Sequence, residues 1–333
     1  MEYEAWHMIL QLLLFIVGFL MLYYGAGWLV KGSSSLARSM GLTPLVIGLT
    51  VVAFGTSAPE LVVSVVSSIK GKSMIAVGNV IGSNICNIAL VLGISALIQP
   101  IRGNRAVFRR DIPIMLGVSL YLLLISLNSK IGRLEGASLL TGIVLYTAFN
   151  YYIAVKETRD KSQDEGVAFL HVAQDIEYIA SRTRQVVWIA AGIVVVVAGA
   201  EILIDAAVAI MKVFGVNEKF IGLTIVALGT SLPEFATSVV AAMKKEMDIS
   251  IGNLVGSNVF NILSVLGAAA LVRPIPIPGG FVQSGLLIDY LFMMFVSFLP
   301  WLMMKKTYMV SRRDGVVLLL CYVGYIVYLV IKT

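Results

Sequence analysis

Charge is scarce in this chain. Asp, Glu, Lys and Arg make up 13% of its 333 residues, about half the share in a soluble domain. There are two histidines, His7 and His171, and two cysteines, Cys86 and Cys321. So few imidazoles argue against a histidine metal centre, and two distant cysteines match no disulfide or metal spacing. No P-loop and no nucleophile–base arrangement is present. Covalent chemistry, nucleotide hydrolysis and a resident cofactor are therefore not expected, and the chain does not read as an enzyme. The net charge of +6 does not call for nucleic acid, because basic loops mark the cytoplasmic face of a membrane protein.

What the chain has instead is apolar length. Apolar residues make up 59% of it and its mean hydropathy is +0.92. Several runs exceed about 18 residues with almost no charge, the mark of membrane-spanning helices. The first run begins near Met8, is too long for a signal peptide, and follows Glu2 and Glu4 rather than a basic segment. It reads as a retained span. The expectation is an all-α membrane protein with ten spans, at about 8–30, 43–69, 73–98, 112–127, 134–154, 185–211, 218–243, 249–272, 283–303 and 314–331. The segment 155–184 is rich in charge and reads as a solvated linker, with a short amphipathic helix near 167–180.

An internal repeat organises the rest. Gly55-Thr56-Ser57-Ala58-Pro59-Glu60 recurs 174 positions later as Gly229-Thr230-Ser231-Leu232-Pro233-Glu234. Gly78-Asn79-Val80-Ile81-Gly82-Ser83-Asn84-Ile85-Cys86-Asn87 recurs at the same offset as Gly252-Asn253-Leu254-Val255-Gly256-Ser257-Asn258-Val259-Phe260-Asn261. The register holds without a gap from 47–93 to 221–267, with 26 of 47 paired positions identical, which marks a duplication. Pro100-Ile101 and Pro274-Ile275 extend it. The halves are expected at 1–154 and 185–333, five spans each. An odd number of spans inverts the second half relative to the first, a plan common in secondary transporters. Loop charges give the orientation. Eight of the 25 Lys and Arg residues (Lys70, Lys72, Lys130, Arg133, Lys212, Lys219, Arg273 and Lys332) fall on one side and the other 17 on the opposite side. The richer side is expected to be cytoplasmic, with the 155–184 linker there and both termini outside the inner membrane.

Glu60 and Glu234 sit near the middle of their spans. A carboxylate at that depth costs a few kcal/mol and marks function. Two of them at equivalent positions of an inverted repeat converge and repel, so protons or cations are expected to neutralise them. Pro59 and Pro233 lack the N–H that the Gly55 and Gly229 carbonyls need, and irregular backbone at this depth is tolerated where it lines a polar cavity. Carbonyls near the break, those of Ala53, Thr56, Ala227 and Thr230 among them, are candidates to face a cation. The hydroxyls of Thr56, Ser57, Thr230 and Ser231 lie beside them. On the next span Ser83 and Asn87 share a helical face with Asn79 and Asn84 nearby, as Ser257 and Asn261 do with Asn253 and Asn258. A lone Ser or Asn in a membrane helix usually serves a neighbouring helix. The same Pro-Glu break in both halves, followed by the same Ser/Asn face, points instead to a hard-cation ligand set.

These two motif pairs resemble the alpha repeats of the Ca2+/cation antiporter superfamily, most closely its prokaryotic sodium/calcium exchangers. The resemblance covers the whole layout and is specific over 47–93 and 221–267. It implies a central Ca2+ held by Glu60, Glu234 and the carbonyls of Thr56 and Thr230. It implies Na+ sites using Ala53, Ser57, Ser83, Ala227, Ser231 and Ser257 with the same glutamates. Asn87 and Asn261 match the two central amide or acid positions; K+-dependent relatives carry Asp at the second. H+/Ca2+ relatives carry glutamates in GNxxE-type motifs, and here Asn79 and Asn253 are followed by Val-Ile-Gly and Leu-Val-Gly. The expected function is Na+/Ca2+ exchange by alternating access, with the lipid bilayer as partner and a monomer as the working assembly. H+/Ca2+ exchange, a K+-dependent exchanger and a cation channel are the alternatives, and a purely structural membrane protein would tolerate loss of both glutamates. Glu201 and Asp205, four apart in the sixth span, either line a cation path or sit at the interface. Gly25 and Gly199 are equivalent and permit the first and sixth spans to slide closely against the core.

Overall fold

The computed structural model describes residues 2–103, 105–164, 178–214, 227–277 and 280–332. Nearly all of it is helix. We number the main helices α1 (Glu2–Ser39), α2 (Pro44–Thr56), α3 (Ala58–Ile69), α4 (Ser73–Ile98), α5 (Ile112–Ser126), α6 (Arg133–Asp164), α7 (Arg182–Val213), α8 (Leu232–Met243), α9 (Met247–Val272), α10 (Leu286–Met304) and α11 (Arg312–Lys332). Seven are long and apolar enough to cross a membrane, and α2 with α3, bent by 46°, make an eighth candidate. Two of the ten expected spans fall short of that test. At 112–127 the regular α-helix is 15 residues long, because a π-helical turn carrying Arg109, Arg110 and Asp111 precedes it. At 218–243 the described part begins at Ala227, with a short turn Ala227–Gly229 before the 12-residue α8. Lys219, repeat positions 221–226 and most of the expected 167–180 helix lie outside the described residues.

Burial orders the bundle. In their most apolar windows α4 and α9 are 72% and 78% buried, against 17% for α1 and 28% for α7. The centre is therefore α4 and α9, packed through Ile81, Ile85, Ile88, Leu254, Val259 and Ile262 with Leu45 and Leu49 of α2. The long helices α1 and α7 lie outside this core and run against each other lengthwise. Glycines let their backbones meet, as small residues do in membrane helix pairs. A Cβ added at Gly18 would stand 2.8 Å from the Gly199 carbonyl oxygen, and one at Gly199 3.0 Å from the Gly18 oxygen.

Pro44 and Pro59 open α2 and α3, where a missing N–H costs nothing. Both α4 and α9 pass through a π-helical stretch, Cys86–Leu92 and Asn261–Leu266. Such turns insert one residue into the ladder and recur at functional sites. Two pairs of two-residue strands tie the loops. β1 (Ile101–Arg102) pairs antiparallel with β4 (Met309–Val310), and β2 (Lys130–Ile131) with β3 (Ile275–Pro276). Each half thus lends one strand to each pair.

Candidate functional site

The broken turns bring both motifs together in the buried centre. Ser57 (φ −82°, ψ 8°) and Ser231 (φ −88°, ψ 4°) adopt the same non-helical geometry. Each caps a short helix with Pro in its first turn, and each helix carries its glutamate there. A helix N-terminus favours a carboxylate. Pro59 gives no N–H to the Gly55 carbonyl. The Ala53 carbonyl keeps a partner, the Ser57 N–H at 3.0 Å. Gly55 lies against Ile193 and Gly229 against Ile204, both on α7.

Hydrogen bonds cross between the two motifs in matched pairs. Ser57 Oγ donates to Glu234 Oε1 at 2.9 Å, and Ser231 Oγ to Glu60 Oε1 at 3.3 Å. Thr56 Oγ1 donates to Asn253 Oδ1 at 3.1 Å, and Thr230 Oγ1 to Asn79 Oδ1 at 3.3 Å. The amides of Asn79 and Asn253 donate to Ser64 and Ser238, each at 2.9 Å, and reach the carbonyls of Glu60 (3.3 Å) and Glu234 (3.5 Å). Asn84 and Asn258 donate to each other's backbone carbonyls at 3.2 and 3.3 Å. Asn87 donates to Asn258 Oδ1 at 3.2 Å, and Asn261 to Asn84 Oδ1 at 3.1 Å. Ser83 Oγ also donates to Glu60 Oε1 at 3.4 Å, while Ser257 Oγ stands 3.4 Å from Thr56 Oγ1.

The network leaves four matched acceptors over. Glu60 Oε2, Glu234 Oε2, Asn87 Oδ1 and Asn261 Oδ1 are buried and have no hydrogen-bond donor. Glu60, Glu234, Asn87 and Asn261 are each 0% exposed. An unsatisfied buried polar atom costs about 1–3 kcal/mol, and a charged one more. Four of them, all oxygen acceptors and two from carboxylates, suit a hard cation, which binds oxygen and needs no hydrogen.

The geometry thus gathers most of the residues singled out in the sequence. Glu60 is linked with Ser231, Ser83, Asn79 and Thr230, Glu234 with Ser57, Asn253, Thr56 and Ser257, and Asn87 and Asn261 with Asn84 and Asn258; Ala53 is fully buried beside Thr56. Of Ala227 only the backbone is described, within the short helical turn. Ser64 and Ser238 were missed, although both copies carry serine four residues after the glutamate, on the same helical face. Cys86, one position before Asn87, is a buried free thiol.

A second polar cluster lies at the turn between α8 and α9. Ser34 and Arg38 of α1 donate to Glu246 Oε1 at 2.7 and 3.3 Å. Burial raises the Glu246 carboxyl above its ordinary pKa, against the opposing pull of Ser34 and Arg38. Lys244 Nζ donates to the Gly27 carbonyl at 3.4 Å. Burial, and then Lys31 nearby, hold the Lys244 ammonium below its ordinary value. Nothing in the sequence pattern announced this contact, since its members lie more than 200 positions apart.

Comparison with known proteins points the same way as the site. A family model described as sodium/calcium exchanger protein matches residues 10–153 and 184–331. The chain is 38% identical over 269 residues to the inner membrane protein YrbG of Escherichia coli (strain K12), covering 80% of this chain and 81% of that protein. It is 28% identical over 345 residues to the sodium/calcium exchanger MaX1 of Methanosarcina acetivorans, covering 95% and 97%. The solved structure of the sodium–calcium exchanger NCX_Mj, soaked with Na+ and Ca2+, superposes with a TM-score of 0.80 at 30% identity, covering 96% of this chain and 98% of that one.

Proposed function

Since the chain belongs to the sodium/calcium exchanger family, and so to the cation antiporters of the membrane, we propose that it exchanges Na+ for Ca2+ by alternating access at the buried site between its halves. The observation that carries this reading is the set of four matched, donor-less oxygens on Glu60, Glu234, Asn87 and Asn261. In this reading Ca2+ binds the two carboxylates with the Thr56 and Thr230 carbonyls. Na+ ions use Ala53, Ser57, Ser83, Ala227, Ser231 and Ser257 with the same glutamates. The ions compete because full occupancy by both would crowd too much positive charge into one cavity. Loading with either set neutralises the carboxylates and lets α1 and α7 pass across the core; the doubly charged empty site resists that passage.

The same reading takes the chain as ten spans in two inverted halves, 1–154 and 185–333. The matched hydrogen bonds at the site support it. Loop contacts support the charge-based partition of sides. β1 pairs with β4 and Arg312 donates to the Ile98 carbonyl, all in loops assigned inside. β2 pairs with β3 and Arg273 donates to the Ile69 carbonyl, all in loops assigned outside. The proposal places the 155–184 linker in the cytoplasm, both termini outside, and a monomer in the inner membrane.

The test is Ca2+ uptake into proteoliposomes loaded with Na+ and diluted into Na+-free buffer, with a protonophore present. Uptake that needs internal Na+ and vanishes in Glu60→Gln is expected. Uptake indifferent to Na+ but driven by an imposed pH gradient would make the chain an H+/Ca2+ antiporter. Uptake needing neither gradient would make it a channel.

A further inference from the structure

The two halves correspond position by position, yet the structure treats their ends unequally. The 174-residue register runs through α1 and α7. Gly18 meets Leu203 as Gly192 meets Leu29, and Gly25 meets Val196 as Gly199 meets Leu22. It also runs through the α3–α4 and α8–α9 turns, inside the repeat block. In spite of this, α1 packs along α8, while among the described residues no packing of that extent joins α7 to α3. On the packed side, Ser34 and Arg38 grip Glu246 and Lys244 reaches Gly27 beside Lys31. The other side has the same backbone parts, apart from each other.

Register identifies what would meet there. The counterparts of Gly27 and Lys31 are Glu201 and Asp205, and the counterpart of Lys244 is Lys70. A glycine and a lysine beside a lysine become two acids beside a lysine. Glu201, Asp205 and Lys70 are all exposed in this structure, and none has a side-chain hydrogen bond or ion pair among the described residues. Glu201 and Asp205 lie four apart, on one face of α7. The counterpart of the Arg38–Glu246 pair is Lys212 with Lys72, two like charges. The attraction available to close that side therefore rests on Lys70 with the two acids.

Building on the alternating-access reading, we propose that in the opposite state of the cycle α7 packs along α3 and Lys70 pairs with Glu201 and Asp205. That contact closes the outer side as the Arg38–Glu246 grip closes the inner side here. The two clamps alternate, because α1 and α7 are locked together by their glycine contacts and move as a unit. Glu201 and Asp205 are then positioning residues for the transport cycle rather than ion ligands.

The experiment uses the full chain with Cys86→Ala and Cys321→Ala as background, reconstituted in liposomes with Na+ and Ca2+ on both sides. One variant adds Lys70→Cys with Asp205→Cys, a second adds Arg38→Cys with Glu246→Cys, and a third adds all four. Ion-paired long side chains hold their backbones farther apart than a disulfide spans, so each pair is bridged with a bis-methanethiosulfonate reagent about 10 Å long. Each bridge is expected to form and to stop exchange until a reductant is added. In the third variant no single molecule is expected to hold both bridges. Lys70→Glu is expected to slow exchange about two- to fivefold, the size of an exposed ion pair, and Lys70→Glu with Glu201→Lys and Asp205→Lys to recover most of it. Failure of the 70–205 pair to cross-link in a chain that exchanges overturns the proposal, as do both bridges in one molecule. If the parent chain shows no Na+-driven Ca2+ uptake, the exchanger reading falls. The cross-links still report whether α7 reaches the α3–α4 turn.

Discussion

Adding one carbon at the α1–α7 seam makes a sharp test of how this bundle is held together. A Cβ at Gly199 would lie 2.7 Å from Met21 Cβ, and 3.0 Å from both the Gly18 oxygen and the Leu22 nitrogen. A Cβ at Gly18 would lie 2.8 Å from the Gly199 oxygen, from Leu203 Cβ and from the Leu203 nitrogen. Unstrained contact needs about 3.5–4.0 Å, so the helices must part by about 1 Å along a seam that is mostly backbone. Overpacking of this kind costs about 1–3 kcal/mol. Exchanging glycine for alanine in a helix returns up to about 1 kcal/mol. The net expectation for Gly18→Ala or Gly199→Ala is a loss of about 1–2 kcal/mol, or about 2–4 °C in the unfolding midpoint of the purified protein. Gly324→Ala and Gly117→Ala supply the opposite sign. Both glycines are helical and exposed with no heavy atom within 4 Å of the added carbon, so each is expected to hold or raise the midpoint. One parting of the helices relieves both seam substitutions, so the double variant Gly18→Ala/Gly199→Ala is expected to lose less than the sum of the singles. If Gly199→Ala melts like Gly324→Ala, or the double is fully additive, the seam is not the close backbone contact described.

Three further predictions follow from the site and its surroundings. Glu60→Gln and Glu234→Gln each remove a carboxylate from the proposed cation ligands, an interaction of about 3 kcal/mol at the charged hydrogen-bond scale. Each is expected to weaken Ca2+ binding at least about 100-fold by equilibrium dialysis, and binding within tenfold of wild type would remove that glutamate from the site. Asn258→Ala strands the Asn84 carbonyl and the Asn87 amide and is expected to cost about 2–4 kcal/mol in unfolding, with Asn84→Ala/Asn258→Ala costing less than the two singles together; strict additivity would deny the coupling. Burial raises the Glu246 carboxyl, so between its unfolded value of about 4.3 and the raised one the folded chain holds more protons than the unfolded one. Stability conferred through Glu246 then falls as pH rises across that window. Glu246→Gln should lack this slope, and a wild type that gains on the variant with rising pH would reverse the reasoning.

The duplication was legible because it is written in chemistry with few substitutes. A proline beside a carboxylate at mid-span, repeated 174 positions on, predicts both a broken helix and a second copy of it. Crossed bonds such as Thr56 to Asn253 and Thr230 to Asn79 then follow once the copies are set face to face. Helical period alone could put Ser83 and Asn87 on one face. It could not say that Asn84 would trade carbonyls with Asn258, because that depends on how closely α4 and α9 approach. Nor could it foresee the π-turns at Cys86–Leu92 and Asn261–Leu266, which shift the register just where the asparagines lie. The span expected at about 8–30 belongs to a helix that continues to Ser39. Glu246 and the Ile179 N–H engage the hydroxyls of Ser34 and Ser35, so those serines serve neighbouring segments instead of ending the helix.

The least legible feature is the inequality between the two ends. A repeat read alone predicts symmetry, and a symmetric arrangement would close both sides of the buried carboxylates or neither. Here Arg38 pairs with Glu246 while Lys70, Glu201 and Asp205 are exposed. The difference is encoded only where the copies diverge, at Gly27 against Glu201, Lys31 against Asp205 and Glu246 against Lys72. The matched motifs build a site that both halves share. In the proposed cycle the unmatched charges around it decide which half holds the helix pair, so changes at these positions are expected to alter the rate of transport while leaving the oxygen ligands at the site intact.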